Sequence, residues 1–192
     1  MTRLVLAATL FASYGIYGPA FELQEHVARH GVEEYVDNEK YQLRWWRRDA
    51  EHSLRPLISL LNRLRRGCAA LRTNTTLRFH DTDNPMLICY SKTAPVRAGV
   101  SRRDDDCKLS PDPVLVVVNL DPHHRQSGFV ELDQSALGIE EHEPFFVQDV
   151  LGGGRYRWSG PRNYVELDPT VLPAHVFVVH TKTRSEHDFD YF

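Results

Sequence analysis

Between residues 77 and 180 the chain alternates short apolar runs with clusters of turn-forming residues, and this alternation restricts the possible folds more than any other feature. Runs of about four to eight residues that are rich in β-branched and aromatic side chains are typical of strands. The pattern predicts eight strands, at 77–80, 86–91, 114–120, 128–132, 145–150, 156–159, 163–167 and 175–180. Because many short antiparallel strands at such spacing are typical of sandwiches, we expect a Greek-key β-sandwich.

One run and two turns add detail to this sandwich. The run at 114–120 reads Val-Leu-Val-Val-Val-Asn-Leu, and a continuous apolar run is typical of a strand that is buried on both faces. Residues 152–154 are Gly-Gly-Gly and residues 159–161 are Ser-Gly-Pro, so we expect a hairpin turn at each place. The three glycines are not followed by a Lys and a helix, which argues against a phosphate-binding loop.

The first third of the chain has a different, mainly helical pattern. Residues 3–13 are rich in Ala and Leu, which predicts a short buried helix, and two glycines bracket a very short strand at 15–18. A second helix is predicted at 53–66, because its apolar residues recur at helical spacing: Leu54, Leu57, Ile58, Leu61 and Leu64. A helix, a lone strand and a helix are typical of one slice of a parallel α/β sheet.

The change of pattern near residue 72 indicates two domains. We expect a first domain at 1–71, an all-β domain at 72–181 and a disordered tail at 182–192. A further disordered segment is expected at 93–113, which contains three prolines and a charged run. With 192 residues the chain is too short for a complete (β/α)₈ barrel, which needs about 250.

Charge and cysteine content exclude several classes of partner. The formal charge of −3 and the pI of 6.4 argue against nucleic acid and anionic membranes, which favour a strong basic excess. The apolar run at 4–12 is shorter than the roughly 20 residues that cross a membrane. Cys68, Cys89 and Cys107 form neither a CxxC pair nor a zinc pattern, so we expect reduced thiols in a cytoplasmic protein without a metal or cofactor.

The long polar segment at 22–52 contains the most suggestive residues. A loop of this length inside a compact domain is usually functional. Its part at 33–46 combines Tyr, Trp, Lys and carboxylates, and aromatic rings with charged groups are what a sugar site uses. The alternative is a surface loop that packs Trp45 and Trp46 on the core.

Other candidate groups lie in the β region. Adjacent His123 and His124 rarely face one metal ion, so a structural loop is expected there. Tyr156, Trp158 and Tyr164 are candidates for stacking on a glucan, although strand alternation also favours the core for them.

Several longer segments, taken together, resemble a known family. They are residues 14–23 (YGIYGPAFEL), 38–44 (NEKYQLR), 77–80 (LRFH), 116–124 (VVVNLDPHH) and 162–169 (RNYVELDP). These segments, in this order, are similar to the α-1,4-glucan:maltose-1-phosphate maltosyltransferases of the α-amylase superfamily. The resemblance covers about residues 3–180.

The resemblance implies an α+β architecture and an activity. Residues 3–68 would be the last helix–strand–helix portion of a (β/α)₈ barrel, with the eighth strand at 15–18, and residues 72–180 the β-domain after the barrel. Members of the family transfer maltosyl units from maltose 1-phosphate to α-1,4-glucan with retention, release phosphate, and are often homodimers.

The resemblance also implies site residues. Lys40 and Tyr41 match a pair that contacts the donor maltosyl group, and Tyr17, Gly18 and Glu22 match a motif that forms scaffold beside the active site. A retaining mechanism needs two carboxyl groups about 5–5.5 Å apart. In the family they belong to earlier barrel strands, so no residue here is matched to a catalytic role.

Three functional hypotheses follow from this. The chain is part of a maltosyltransferase that acts with a second polypeptide carrying the remaining barrel strands. Alternatively, it is a non-catalytic glucan-binding β-sandwich module, or a truncated gene product without a function of its own. In each case maltose 1-phosphate and α-1,4-glucan are the expected ligands only through the resemblance.

Overall fold

The computed structural model describes most of the chain. The described residues are 1–36, 43, 45–47, 49–95, 112–141 and 143–180. The tail predicted at 182–192 and most of the insertion predicted at 93–113 lie outside them, as do Lys40 and Tyr41.

Three α-helices precede the sheet in the described residues: α1 (Thr2–Leu10), α2 (Gly18–Glu22) and α3 (Arg55–Gly67). The helices α1 and α3 lie where the sequence predicts helices, and α1 ends three residues earlier than expected. Ser53 accepts a hydrogen bond from the backbone N–H of Arg55 at 3.2 Å, so it supports the first turn of α3. None of the described helices is long and apolar enough to span a membrane.

The short strand predicted at 15–18 does not form. Residues 11–17 carry no ladder pairing, and Gly18 begins α2 with a φ of 52°. A strand exists only where a neighbouring strand accepts and donates its backbone hydrogen bonds. The described strands all pair with one another and leave none beside this segment.

Eight strands follow in the described part of the chain, each within two residues of its predicted bounds. They are β1 (Arg78–Thr82), β2 (Leu87–Lys92), β3 (Val114–Asn119), β4 (Gln126–Glu131), β5 (Phe145–Asp149), β6 (Arg155–Trp158), β7 (Arg162–Leu167) and β8 (Ala174–His180). Two 3₁₀ turns complete the structure, at Ala69–Arg72 and Ser135–Leu137.

All pairings are antiparallel, in the order β6-β5-β8-β3-β2-β1-β4-β7. Strand β1 pairs with β2 through residues 78–80 and with β4 through residues 81–82, so the sheet divides at β1. We call β6-β5-β8-β3-β2 with the start of β1 the major layer, and the end of β1 with β4 and β7 the minor layer. The order β3-β2-β1-β4 is that of a Greek key.

The inner core lies between the two layers. It contains side chains from every strand except β1, including Val117, Val130, Phe145, Val165 and Phe177. All six residues of β3 are buried, as predicted for a strand covered on both faces.

The helices pack on the outer face of the major layer and thereby cover the second face of β3. This junction core combines residues of α1 and α3 with residues of β2, β3 and β8, among them Leu4, Leu61, Tyr90, Val116 and Val176. The helical part and the sheet therefore share one continuous apolar contact.

The two glycine-containing turns behave differently. Residues 152–154 close the β5–β6 hairpin, where Asp149 N–H donates to the carbonyl of Gly154 at 2.7 Å and Gly153 has a φ of 75°. The hairpin predicted at 159–161 is wrong, because β6 pairs with β5 whereas β7 pairs with β4. This turn instead carries the chain from the major layer to the minor layer.

Candidate functional site

The three predicted scaffold residues lie together around the short helix α2. Tyr17 is the N-cap of α2, Gly18 is its first residue and Glu22 is its last. A φ of 52° at Gly18 lies in the left-handed region, which glycine adopts without the Cβ clash of other residues. The backbone conformation at this bend therefore favours glycine as the first residue of the helix.

Glu22 ties α2 to the start of α3. Its backbone carbonyl accepts a hydrogen bond from Leu54 N–H at 2.8 Å, and its Oε1 accepts one from the Ser53 hydroxyl at 3.4 Å. These two contacts fix both ends of the long segment at 23–52. Lys40 and Tyr41 belong to this segment but lie outside the described residues.

The described start of this segment makes a small antiparallel turn. Ala28 and Tyr35 form a β-bridge, and Arg29 N–H donates to the carbonyl of Glu34 at 2.7 Å. Val32 and Tyr35 remain about half exposed on it. The turn thus presents apolar side chains to solvent rather than to the described core.

An open cleft of about 630 Å³ is formed by described residues of the segment at 23–52. Its described lining is Leu23, Glu25, Trp45, Trp46, Arg47, Asp49, Ala50, Glu51 and His52. A smaller cleft of about 340 Å³ adjoins it and shares Leu23, Glu25 and His52. Indole faces beside carboxylates, an arginine and a histidine can stack on sugar rings and hydrogen-bond their hydroxyls.

The lining of the cleft includes Trp45 and Trp46 from the sugar loop predicted at 33–46, and the sugar-binding role of that loop stays a prediction. Trp45 is fully exposed, so the alternative in which it packs on the core is wrong for that residue. The sequence interpretation did not single out Glu25, Asp49 or Glu51. The only indication of these three residues in the sequence was the high density of charged residues and histidines across 22–52.

The structure buries one of the three stacking candidates of the β region and exposes the other two. Trp158 is buried, with its ring centre 5.2 Å from that of Phe177 in the inner core. Tyr156 and Tyr164 are exposed, contrary to the alternation argument that favoured the core. Tyr164 lies on β7, where its ring meets that of Phe129 on β4.

The loop with the paired histidines is organised by Asp121. Its Oδ1 accepts hydrogen bonds from the backbone N–H groups of His123 and His124, and its Oδ2 lies 3.0 Å from Nδ1 of His124. The hydrogen bond from His123 is the largest reason why the pKa of Asp121 is lowered to about 2. These contacts support the structural interpretation of the loop.

Metal and thiol chemistry receive little support from the described residues. Within the described stretches no group of three His, Cys, Asp or Glu side chains could hold a metal ion. Cys68 and Cys89 are free and buried, and burial raises the pKa of both thiols. Cys107 lies outside the described residues.

Comparison with known proteins gives consistent results along the chain. Residues 79–179 match the family described as "GLGE, C-terminal". Alpha-1,4-glucan:maltose-1-phosphate maltosyltransferase 2 of Streptomyces coelicolor is 45% identical over 182 residues, which are 92% of this chain and 25% of the relative. The corresponding enzyme of Chlorobaculum tepidum is 37% identical over 184 residues, 93% of this chain and 26% of that one. The chain thus spans about a quarter of the length of these relatives.

Two solved α-amylases have a similar fold. A maltogenic α-amylase AmyB from Thermotoga neapolitana has a TM-score of 0.54 at 18% identity, covering 92% of this chain and 36% of that enzyme. An Anoxybacillus α-amylase has a TM-score of 0.54 at 17% identity, covering 96% of this chain and 33% of that enzyme. At such identities the similarity concerns the fold alone.

Proposed function

Since the chain belongs to the family of the α-1,4-glucan:maltose-1-phosphate maltosyltransferases, we propose that it is the C-terminal part of such an enzyme. The enzyme would move maltosyl units from maltose 1-phosphate to α-1,4-glucan and release phosphate. One observation carries the proposal: the similarity to these relatives extends over 92% of the chain, so it includes the helical part as well as the sheet.

In this proposal residues 1–71 are the end of the catalytic barrel and residues 72–181 the domain that follows it. The junction core supports a stable connection between them, because residues of α1 and α3 pack there on β2, β3 and β8. Arg65 of α3 donates hydrogen bonds to the carbonyls of Ala8, Phe11 and Ala12, with distances of 2.9 and 2.6 Å to the last two. The end of α1 is therefore held against α3 while both helices cover the major layer.

The donor would be bound by the segment at 23–52. We assign the donor contact to Lys40 and Tyr41, and the supporting scaffold to Tyr17, Gly18 and Glu22. The hydrogen bonds from Leu54 and Ser53 to Glu22 support this assignment, because they anchor the segment at both ends. The adjoining cleft offers indole faces and carboxylates, which suit a sugar.

The chemical step would need two further carboxyl groups. A retaining transfer requires a nucleophile and an acid/base about 5–5.5 Å apart. We place both carboxyl groups in the preceding barrel strands of the relatives, outside these 192 residues. Dimerisation, which the resemblance also implies, belongs to the same proposal and is measured by sedimentation of the reconstituted complex.

Phosphate release provides the test. The chain is incubated with maltose 1-phosphate and maltoheptaose, alone and with a polypeptide that carries the preceding part of the Streptomyces coelicolor relative. We expect no release from the chain alone and release from the mixture. In the mixture Lys40→Ala should lower kcat/KM for the donor about tenfold or more, because it removes a donor contact.

Lys108→Ala is the matched control, since Lys108 belongs to none of the segments that carry the resemblance. Its kinetics should equal those of the unmodified chain. Transfer by the chain alone would contradict the assignment of the catalytic groups. Unchanged kinetics in Lys40→Ala would remove the donor-contact role.

A further inference from the structure

The outer face of the minor layer presents an aromatic row between two polar rows. The register of β4 and β7 places three pairs of exposed residues opposite each other: Ser127 with Glu166, Phe129 with Tyr164, and Glu131 with Arg162. Rows on one face of a strand are about 6.6 Å apart, since each residue rises about 3.3 Å. Hydrogen-bonding groups therefore lie on both sides of the aromatic pair, at a distance comparable to the size of a sugar ring.

Tyr164 is the ring of this pair that is open to a ligand. Its ring centre lies 5.6 Å from that of Phe129, with the planes at 67°, so the two rings meet edge to face. The guanidinium of Arg162 lies 4.3 Å from the centre of the Phe129 ring and covers it. Tyr164, by contrast, is 52% exposed.

The polar groups beside Phe129 are held in place before any ligand arrives. Arg162 forms ion pairs with Asp83 at 3.3 Å and with Glu131 at 3.4 Å. Asp83 also accepts a hydrogen bond from the backbone N–H of Phe129 at 2.7 Å. Groups fixed in this way lose little further conformational entropy on binding.

The polar groups beside Tyr164 are fixed in the same manner. The Tyr164 hydroxyl donates to Oε2 of Glu166 at 3.1 Å, and Oε1 of Glu166 accepts from Arg125 at 3.1 Å. The ring is thereby held by its hydroxyl at one end and by the edge contact with Phe129 at the other. Its exposed face has a defined orientation.

The charge of this face selects among sugars. Its described carboxylates are those of Asp81, Asp83, Glu131, Glu166 and Asp168, and its described guanidinium groups are those of Arg125 and Arg162. The excess of negative charge repels phosphate esters, whereas neutral hydroxyl groups can donate to carboxylates and accept from arginine. A neutral oligosaccharide fits the face better than a phosphorylated one.

We propose that the outer face of the minor layer is a surface site for neutral α-1,4-glucan chains, with Tyr164 as the stacking residue. The choice of glucan rests on the proposed function. The site is built from β1, β4 and β7, whereas the proposed donor segment lies at 23–52. It would hold the acceptor polymer near the enzyme without contact to the donor phosphate.

Titration of the 192-residue chain with maltoheptaose tests the site. In nuclear magnetic resonance spectra we expect saturable shifts of amides in β4 and β7. Tyr164→Ala should weaken the affinity at least tenfold because it removes the stacking face. Tyr164→Phe keeps the ring and should stay within about threefold. Phe11→Ala is the control, an exposed aromatic residue that follows α1, and should change the affinity less than twofold.

Three results would overturn the site. They are no saturable shift in β4 and β7 of the unmodified chain, equal losses of affinity in Tyr164→Ala and Phe11→Ala, or equal affinity of these strands for maltose and maltose 1-phosphate. The first and third need no variant, so they hold even where Tyr164→Ala does not fold. These readouts do not involve turnover, so a failure of the surface site would not decide the phosphate-release test of the proposed function. Likewise, a failure of the phosphate-release test would not decide whether the surface site binds glucan.

Discussion

The inner core and the junction core both bury apolar side chains, but they draw on different parts of the chain. The inner core between the layers is built from aliphatic side chains and aromatic rings of residues 87–179. The junction core between helices and sheet contains a buried hydroxyl pair, in which Thr9 donates to the carbonyl of Val5 at 2.7 Å and Tyr90 donates to Thr9 at 2.6 Å. The inner core thus lies within the β region, whereas the junction core joins α1 to β2, where this hydroxyl pair links the two elements.

This difference indicates how the two regions depend on each other. The strands can bury their inner face without the helices, because every member of the inner core comes from the β region. The helices cannot bury α1 without the sheet, since Leu4, Val5 and Ala8 pack on the outer face of the major layer. Loss of the inner core should therefore unfold both regions, whereas loss of junction contacts should release the helices alone.

The largest effect is expected from Phe177→Ala on β8. Phe177 is buried and contacts the rings of Trp158, Tyr156 and His175. Removing the ring leaves a cavity, so the free energy of unfolding should fall by about 3–5 kcal/mol. Urea denaturation measures the change, and the far-ultraviolet signals of helices and sheet should be lost together. A helical signal that outlasts the sheet would contradict the proposed dependence.

A smaller and more local effect is expected from Arg65→Ala on α3. Arg65 donates to three carbonyls at the end of α1, and its guanidinium lies 5.0 Å from the ring centre of Tyr14. Hydrogen bonds from a charged group contribute about 1.5–3 kcal/mol, so the loss should lie in that range. Limited proteolysis should then cut at 11–17 while the sheet stays protected. Arg63→Ala, an exposed residue of the same helix, is the control and should change stability by less than about 0.5 kcal/mol.

The strands could be predicted because their signals are local. The β-branched run of β3 and the three glycines at 152–154 act within a few positions, and the strand and the hairpin turn formed where expected. The connection at 159–161 could not be predicted in the same way. Ser-Gly-Pro allows the chain to turn, with Gly160 at a φ of 70°, but the same residues suit a hairpin and a crossing between layers.

The candidate site was less predictable, because exposure depends on which surfaces meet. Tyr156 and Trp158 are two residues apart, so their side chains lie on the same face of β6. Trp158 is nevertheless buried, whereas Tyr156 is exposed at this edge strand. Lys40 and Tyr41 depend entirely on the resemblance. The sequence did not indicate a role for Phe129, because its position opposite Tyr164 depends on the register of β4 and β7.

The smallest effect concerns Lys92, a buried lysine at the edge of the junction core. Burial, and then the nearby Arg65, lower the pKa of Lys92 from 10.5 to about 8, and its Nζ donates to Oδ1 of Asn74 at 3.3 Å. Between these two pH values the unfolded chain binds more protons than the folded one, so stability rises with pH there and the penalty is complete below pH 8.

Lys92→Met should therefore stabilise the protein at pH 7. The pKa difference sets an upper limit of about 3 kcal/mol, and we expect about 1–2 kcal/mol because the lost hydrogen bond offsets part of the gain. Asn74 keeps a partner in the variant, since its Oδ1 also accepts from Ala12 N–H at 2.7 Å. Urea denaturation of both proteins from pH 7 to pH 11 measures the difference, which should shrink as the pH rises through 8 to 10.5. A difference that does not change with pH would mean that the charge of Lys92 carries no cost, and the junction core would then tolerate polar groups as readily as the protein surface does.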